Sequence, residues 1–176
     1  IIKSRCEERN VPVPHIFTEF GSYTVAESGM NIYTVLGQKE QNDAEKWYMI
    51  DSSFINTMPD IWAIDQRYIL LAANGWKDPY QRVNLGGLTC DSMDYYNSEA
   101  HINQIFLPKL KEGKKQHLVF LNTGAYQEAL SGYGGTKHCL IPSPKILLID
   151  QKEGKHEYKV FQEEQKAEEI LAKLGY

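Results

Sequence analysis

The chain has little cysteine, with only Cys6, Cys90 and Cys139 among its 176 residues. Three widely spaced cysteines provide neither a disulfide framework nor a CxxC zinc knuckle. A concentrated basic patch is also missing, because Lys and Arg are scattered among Asp and Glu and the net charge is −4. This composition argues against a nucleic-acid partner. No apolar run reaches transmembrane length and no segment resembles a signal peptide, so the sequence predicts a cytoplasmic protein without a membrane partner.

The sequence also lacks an initiator methionine, since it opens on Ile1 inside a charged, helix-like run that ends near Asn10. We therefore expect the chain to be part of a longer protein. Its length suffices for one sizeable hydrophobic core, or for one domain plus a remnant of another. We expect the second arrangement.

Strand-like segments dominate the chain from Asn31 to Phe161. They are 31–39, 46–50, 68–71, 81–85, 104–108, 117–121, 145–150 and 155–161. Their spacing is typical of an antiparallel β-barrel or sandwich. An amphipathic helix is predicted from Glu163 to Leu174, with Gly175 as its stop signal. The sequence thus predicts a mainly β fold with a C-terminal helix.

The stretch with the strongest chemical signal is Gly86–Asp94, where two glycines precede a thiol that sits directly beside a carboxylate. A neighbouring negative charge disfavours the thiolate, so Cys90 next to Asp91 should hold its proton longer than an ordinary cysteine. Such a thiol suits proton donation better than nucleophilic attack. The alternative is a buried structural cysteine, because free cysteine is among the most buried residue types.

Three carboxylates share one setting, each at the end of a predicted apolar strand and beside a Gly or Ser turn: Glu19, Asp51 and Asp91. Carboxylates in this position commonly face a ligand. Tyr126, which follows a Gly-Ala pair, is a fourth polar group of this kind. Asp94 is better explained as a turn-stabilising residue.

His138 and Cys139 form an adjacent pair of metal-ligand residue types. No second pair stands at zinc spacing, so we interpret this pair as strand-edge packing.

Three motifs in this order resemble the carboxyl-terminal part of the fold-type III pyridoxal-phosphate decarboxylases, which include ornithine, diaminopimelate and biosynthetic arginine decarboxylases. They are Met-Pro-Asp-Ile-Trp-Ala-Ile-Asp-Gln at 58–66, Gly-Leu-Thr-Cys-Asp-Ser at 87–92 and Gly-Ala-Tyr-Gln-Glu at 124–128. The resemblance covers roughly residues 17–149. The motif at 58–66 is most similar to biosynthetic arginine decarboxylase.

The resemblance implies two domains, with residues 1–29 as the last piece of an α/β barrel and residues 30–176 as a C-terminal β-domain. The barrel would carry pyridoxal 5'-phosphate on a lysine outside this chain. The β-domain would complete the active site across a homodimer interface. The chain alone would then be inactive.

The resemblance also implies roles for the residues that would hold the cofactor. Glu19 corresponds to the acid that pairs with the pyridine nitrogen, and an acid there improves the ring as an electron sink. Tyr126 corresponds to a tyrosine that contacts the phosphate. Where the family has Pro and Arg around its glycine, this chain has Phe20 and Ser22. The phosphate would then be held by the backbone N–H groups of Gly21 and Ser22 and by the serine hydroxyl.

Cys90 corresponds to the cysteine that returns a proton to the α-carbon after carbon dioxide leaves. Asp91 and Asp51 correspond to acids that bind the distal cation of the substrate. Diaminopimelate decarboxylases resemble this motif but carry Glu beside the Cys, and a short carboxylate suits an amine or a guanidinium. The substrate implied is therefore a small basic amino acid, with arginine, converted to agmatine for polyamine biosynthesis, favoured.

Two alternatives stay open. The substrate could instead be ornithine, lysine, diaminopimelate or carboxynorspermidine. A non-catalytic relative that binds a partner decarboxylase is the other possibility, which the Ser22 replacement favours and the intact Cys90-Asp91 pair disfavours.

Overall fold

A computed structural model describes residues 1–42, 45–96, 104–131 and 134–176. Its helices are α1 (Ile2–Glu8), α2 (Gly21–Val25), α3 (Phe54–Thr57), α4 (Asp60–Ala63) and α5 (Ala167–Lys173). Its strands are β1 (Met30–Glu40), β2 (Lys46–Ile50), β3 (Ile69–Ala72), β4 (Tyr80–Arg82), β5 (Asn84–Gly86), β6 (Tyr95–Tyr96), β7 (Phe106–Pro108), β8 (Gln116–Leu121), β9 (Ile146–Lys152) and β10 (Lys155–Gln162). Short 3-10 turns span Ala26–Ser28, Gln127–Ser131 and His138–Leu140.

The described strands form one six-stranded sheet and two two-stranded ones. The large sheet has the order β3-β8-β1-β2-β5-β6, while β4 pairs with β7 and β9 with β10. The pairs are antiparallel except for β2 with β5, which run parallel. The predicted mainly β fold with a C-terminal helix is confirmed, and the parallel pair makes the main sheet mixed.

The core lies against one face of the large sheet and is built around aromatic rings. β1 and β8 alternate buried and less buried positions, which directs Tyr33 and Phe120 inward. Both rings pack edge-to-face on Phe54 of α3, with centroids 5.7 Å apart, and Tyr96 lies 5.2 Å from Phe120. Aromatic pairs in this geometry contribute about 0.5–1.5 kcal/mol each beyond their buried area. The core therefore fixes α3 against the sheet, next to the site described below.

The segment 81–85, predicted as one strand, is divided between two sheets. Tyr80–Arg82 pairs with β7, while Asn84–Gly86 pairs with β2 and β6. Between them, Val83 is buried and donates its N–H to the carbonyl of Ile105. The residue pattern is strand-like throughout, but the hydrogen-bonding partner changes at Val83.

The predicted strand before Glu19 is wrong, because residues 11–20 have no regular secondary structure. Ile16 is 58% exposed and Phe17 is 94% exposed. An apolar run forms a strand only when another strand satisfies its backbone groups. No described strand of this chain pairs with residues 11–20. Glu19 therefore does not lie at a strand end.

The predicted C-terminal helix is present but shorter, since α5 begins at Ala167 rather than Glu163. Ile170 is buried, whereas Leu171 and Leu174 are about half exposed. Gly175 follows the helix with φ of +89°, the left-handed conformation that ends many helices. None of the helices in the described ranges has the length and apolar character needed to span a bilayer.

Candidate functional site

The Cys90 loop (Gly87–Asp94) is held in place by the buried side chain of Asp94. Its Oδ1 accepts the N–H of Phe54 at 2.7 Å, and its Oδ2 accepts the N–H and the hydroxyl of Thr89 at 2.9 and 2.6 Å. Gly87 is required for this packing, because a Cβ there would lie 2.2 Å from Asp94 Oδ1. The prediction that Asp94 stabilises the turn is confirmed, and the loop is anchored to α3.

Cys90 itself is exposed, which excludes the alternative of a buried structural cysteine. The pKa of its thiol is raised, chiefly by a hydrogen bond with the thiol of Cys139 and only to a lesser extent by the charge of Asp91. The direction predicted from the sequence is therefore confirmed. The main cause is a residue that the sequence did not connect with Cys90.

Asp91 and Asp51 are exposed, and a backbone N–H orients each carboxylate. Asp91 Oδ1 accepts the N–H of Met93 at 2.8 Å, and Asp51 Oδ1 accepts the N–H of Thr34 at 2.9 Å. In the described part of the chain, the Oδ2 of each carboxylate accepts no hydrogen bond. Each acid thus has a fixed orientation, with Oδ2 and the second lone pair of Oδ1 open to a ligand.

A backbone contact connects the two segments that carry these acids. The N–H of Leu88, in the Cys90 loop, donates to the carbonyl of Ser52 at 3.0 Å. Ser52 directly follows Asp51, which itself follows β2 as the sequence predicted. The segment after β2 and the Cys90 loop therefore belong to one hydrogen-bonded unit.

The interpretation of His138-Cys139 as strand-edge packing is wrong. Both residues lie in the 3-10 turn His138–Leu140, both are exposed, and they stand beside Cys90. Cys90 Sγ lies 3.6 Å from Cys139 Sγ and 3.8 Å from His138 Nε2, and Cys139 Sγ lies 3.5 Å from the same nitrogen. We call these three residues the thiol cluster. Sequence spacing did not reveal it, because its members come from segments 48 and 49 residues apart.

Asn56 of α3 attaches the His138 turn to the rest of the site. Its side-chain amide donates to the carbonyl of His138 at 3.0 Å and accepts the N–H of His138 at 3.2 Å. The preceding Lys137 forms a buried ion pair with Glu128 at 2.8 Å. Neither contact could be predicted from the sequence, since an isolated Asn and a Lys-Glu pair are common on any surface.

Tyr126 is placed against Gly21 by a close approach of two backbone segments. The N–H of Gly124 donates to the carbonyl of Ala26 at 2.9 Å, and a Cβ on Gly124 would lie 2.1 Å from the carbonyl oxygen of Val25. In the same two segments, a Cβ on Gly21 would lie 2.0 Å from the Tyr126 hydroxyl. Two of the predicted cofactor-binding residues are therefore in contact.

The other two predicted cofactor-binding residues, Glu19 and Ser22, are exposed. Their side chains form no hydrogen bonds with any described residue. The Tyr126 hydroxyl occupies the space that a side chain at position 21 would fill, and the Ser22 hydroxyl follows directly along the chain. Hydroxyl and backbone N–H donors of this kind suit a phosphate group, so the residues present fit a phosphate-bearing cofactor.

Comparisons with known proteins identify the family to which the chain is similar. The family model described as "Pyridoxal-dependent decarboxylase, C-terminal sheet domain" matches residues 22–124. Biosynthetic arginine decarboxylase of Prochlorococcus marinus (strain MIT 9312) is 30% identical over 135 residues, which are 73% of this chain and 20% of that protein. Diaminopimelate decarboxylase of Bacillus subtilis (strain 168) is 27% identical over 154 residues, which are 86% of this chain and 32% of that protein.

A solved structure supports the fold. The biosynthetic arginine decarboxylase of Campylobacter jejuni matches with a TM-score of 0.71 at 18% identity, over 99% of this chain and 42% of that chain. The present chain spans about a fifth of the length of the arginine decarboxylase from Prochlorococcus. The family match covers more than half of the chain and includes β1, β2 and the Cys90 loop. The chain belongs to the pyridoxal-dependent decarboxylase family, and its residues 22–124 match the C-terminal sheet domain of that family.

Proposed function

We propose that this chain acts within a longer pyridoxal-phosphate-dependent decarboxylase of basic amino acids. Residues 30–176 would form the sheet domain and residues 1–29 the end of the cofactor-binding barrel. The family match supports the reaction type. A larger parent protein is supported by the arginine decarboxylase from Prochlorococcus, of which this chain covers only 20%. A second copy would complete the active site.

The observation that carries the proposal is the exposed Cys90 thiol on an anchored loop. Its raised pKa keeps it protonated at neutral pH, so it can donate a proton. Asp94 holds the loop to α3, which prevents the thiol from drifting. In the proposed reaction, Cys90 delivers its proton to the α-carbon from which carbon dioxide has left.

Asp91 and Asp51 would bind the cationic end of the substrate. Backbone N–H groups already orient both carboxylates, so little conformational entropy is lost when a cation binds. A guanidinium can form two parallel charge-assisted hydrogen bonds with a carboxylate, which an ammonium cannot. This chemistry, together with the similarity to arginine decarboxylases, favours arginine as the substrate.

The residues proposed to hold pyridoxal phosphate are Glu19, Gly21, Ser22 and Tyr126. Tyr126 and Ser22 would donate hydroxyl hydrogen bonds to the phosphate, together with the backbone N–H groups of Gly21 and Ser22. The absence of a side chain at Gly21 leaves room for the Tyr126 hydroxyl. Glu19 would accept a hydrogen bond from the ring nitrogen. When bound, pyridoxal phosphate supplies an electron sink for the bond that breaks at the α-carbon.

The test is carbon dioxide release by the full-length protein that carries this chain, with pyridoxal phosphate added. Arginine, ornithine, lysine and diaminopimelate are compared as substrates. Cys90→Ala is assayed beside Cys6→Ala, a matched control because Cys6 lies in α1 and outside the thiol cluster. We expect release from arginine, a loss of about 100-fold or more in Cys90→Ala, as is typical when a general acid is removed, and no loss in Cys6→Ala.

Other outcomes would revise particular parts of the proposal. Carbon dioxide release mainly from diaminopimelate would support the proposed decarboxylation but replace arginine as the substrate. The similarity to the diaminopimelate decarboxylase of Bacillus subtilis makes this the first alternative. Equal activity in Cys90→Ala and wild type would overturn the role of the thiol. No release from any substrate would favour a non-catalytic relative.

A further inference from the structure

The thiol cluster places two sulfurs and one imidazole nitrogen within 4.8 Å of one another on an exposed surface. Cys139 adopts φ of +53°, a conformation that non-glycine residues seldom occupy. In this conformation its Sγ lies 3.6 Å from Cys90 Sγ. Two thiols and a histidine are the ligand types that zinc prefers in proteins.

The three distances match the edges of a zinc tetrahedron. With Zn–S bonds of about 2.3 Å and Zn–N bonds of about 2.0–2.1 Å, tetrahedral angles place two sulfurs about 3.8 Å apart and a sulfur and a nitrogen about 3.5 Å apart. The observed separations are 3.6 Å between the sulfurs, and 3.8 and 3.5 Å from the sulfurs to Nε2. An ion can therefore reach all three atoms with little rearrangement.

The segments that carry these ligands are independently anchored to the same helix. Asp94 fixes the Cys90 loop to the N-terminus of α3, and Asn56 of α3 binds both backbone groups of His138. Since a preorganised ligand set loses less conformational entropy on binding, this scaffold favours metal uptake.

We propose that Cys90, His138 and Cys139 bind a zinc ion, with the fourth coordination position open to solvent. Binding is not a redox step, because two Zn–S bonds replace two S–H bonds and two protons pass to the solvent. The two thiolates balance the charge of the ion. The absence of a CxxC pair does not oppose the site, because its ligands converge from distant segments.

The site has a consequence that rests on the proposed function. A Cys90 sulfur bound to zinc has no proton to donate, so zinc would inhibit decarboxylation by the longer protein. Metal binding by the chain itself does not depend on that activity, and the two can fail separately.

The test is direct metal binding by the reduced chain, with Co²⁺ as a spectroscopic probe and Zn²⁺ as competitor. We expect one Co²⁺ per chain, with the thiolate charge-transfer and intense visible bands of a tetrahedral thiolate site, and displacement by Zn²⁺. Cys139→Ser and His138→Asn should each weaken binding by about 100-fold or more, since the loss of even an outer-shell partner costs about 10- to 100-fold. Cys6→Ser is the matched control and should bind as wild type does.

Several results would overturn the site. They are the absence of stoichiometric Co²⁺ binding by the reduced wild-type chain, a spectrum without thiolate bands, and unchanged affinity in both Cys139→Ser and His138→Asn. Formation of a Cys90–Cys139 disulfide in air, without metal uptake under reducing conditions, would assign the pair to redox chemistry and also overturn the proposal. Circular dichroism of each variant shows that a loss of binding does not arise from unfolding, and both substitutions are at exposed positions.

Discussion

Asp91 and Asp94 have opposite environments although only two residues separate them. Asp94 is 5% exposed and accepts hydrogen bonds from two segments, whereas Asp91 is exposed and accepts one from its own turn. We predict that Asp94→Asn lowers the free energy of unfolding by about 2–4 kcal/mol, because charge-assisted bonds to buried donors are lost. Urea denaturation measures this change.

Asp91→Asn is the matched control, with an expected change in stability of about 0.5 kcal/mol or less, as is usual at exposed positions. In the full-length protein, Asp91→Asn should nevertheless raise KM for the substrate, because Asp91 is proposed to bind its cation. Equal destabilisation by both substitutions would contradict the division of roles between these acids.

The contact between Gly21 and Tyr126 leads to a second prediction at the residue scale. A methyl group at position 21 would overlap the Tyr126 hydroxyl, and the half-exposed ring can move aside. Gly21→Ala should therefore change stability little but weaken retention of pyridoxal phosphate by the full-length protein about tenfold or more, as expected for one lost hydrogen bond to a charged group. Equilibrium dialysis with the absorbance of the cofactor measures retention.

Tyr126→Phe should reproduce the loss, and Tyr23→Phe is its control because Tyr23 is 88% exposed. If Gly21→Ala retained pyridoxal phosphate normally while Tyr126→Phe lost it, the Tyr126 hydroxyl would act from a position other than its contact with Gly21.

Part of the site could be predicted from local sequence alone. Cys90, Asp91 and Asp94 belong to one loop, where glycines and alternating polar groups already indicate a tight turn. His138 could not be assigned to the site, because Asn56 and the sheet bring it there from a distant segment. The apolar residues before Glu19 predict a strand that ends there, but no described strand pairs with them.

At the scale of elements, the approach of the Ala26–Ser28 turn to the segment after β8 holds Tyr126 in position. Gly124→Ala would force a methyl group within 2.1 Å of the Val25 carbonyl oxygen, a backbone atom that cannot move away alone. We predict a loss of about 1–3 kcal/mol or more in the free energy of unfolding. Gly37→Ala in β1 is the control, since its Cβ would meet nothing within 4 Å. Equal stability of the two variants would contradict the close approach.

The limits of strand prediction have a physical cause. β1, β2, β9 and β10 were predicted almost to their ends, because β-branched and aromatic residues fill them and turn residues bound them. The division at Val83 was missed, because side-chain alternation reports which face is buried and not which strand accepts the hydrogen bonds.

At the scale of the whole molecule, buried tyrosines make the stability depend on alkaline pH. Burial raises the pKa of Tyr33, Tyr48 and Tyr68 above the ordinary value of 10.0. In the unfolded chain these phenols ionise first, so the unfolded state binds fewer protons and becomes favoured as the pH rises above about 10. Their contribution to stability is thus complete below that pH and is lost above it.

Tyr33 allows this dependence to be tested, because its hydroxyl is buried and hydrogen-bonded to Thr57 at 2.6 Å. We predict that Tyr33→Phe is about 1 kcal/mol less stable than wild type at neutral pH, since that bond is lost. Above pH 10 the difference in the free energy of unfolding between wild type and Tyr33→Phe should narrow by up to about 1.4 kcal/mol per pH unit. The reason is that the variant no longer has this phenol to ionise on unfolding. Urea denaturation over a pH series measures both effects. Tyr158→Phe, at a 67% exposed position, should follow the wild-type pH dependence, and a gap that stays constant in Tyr33→Phe would show that Tyr33 does not contribute to the alkaline loss.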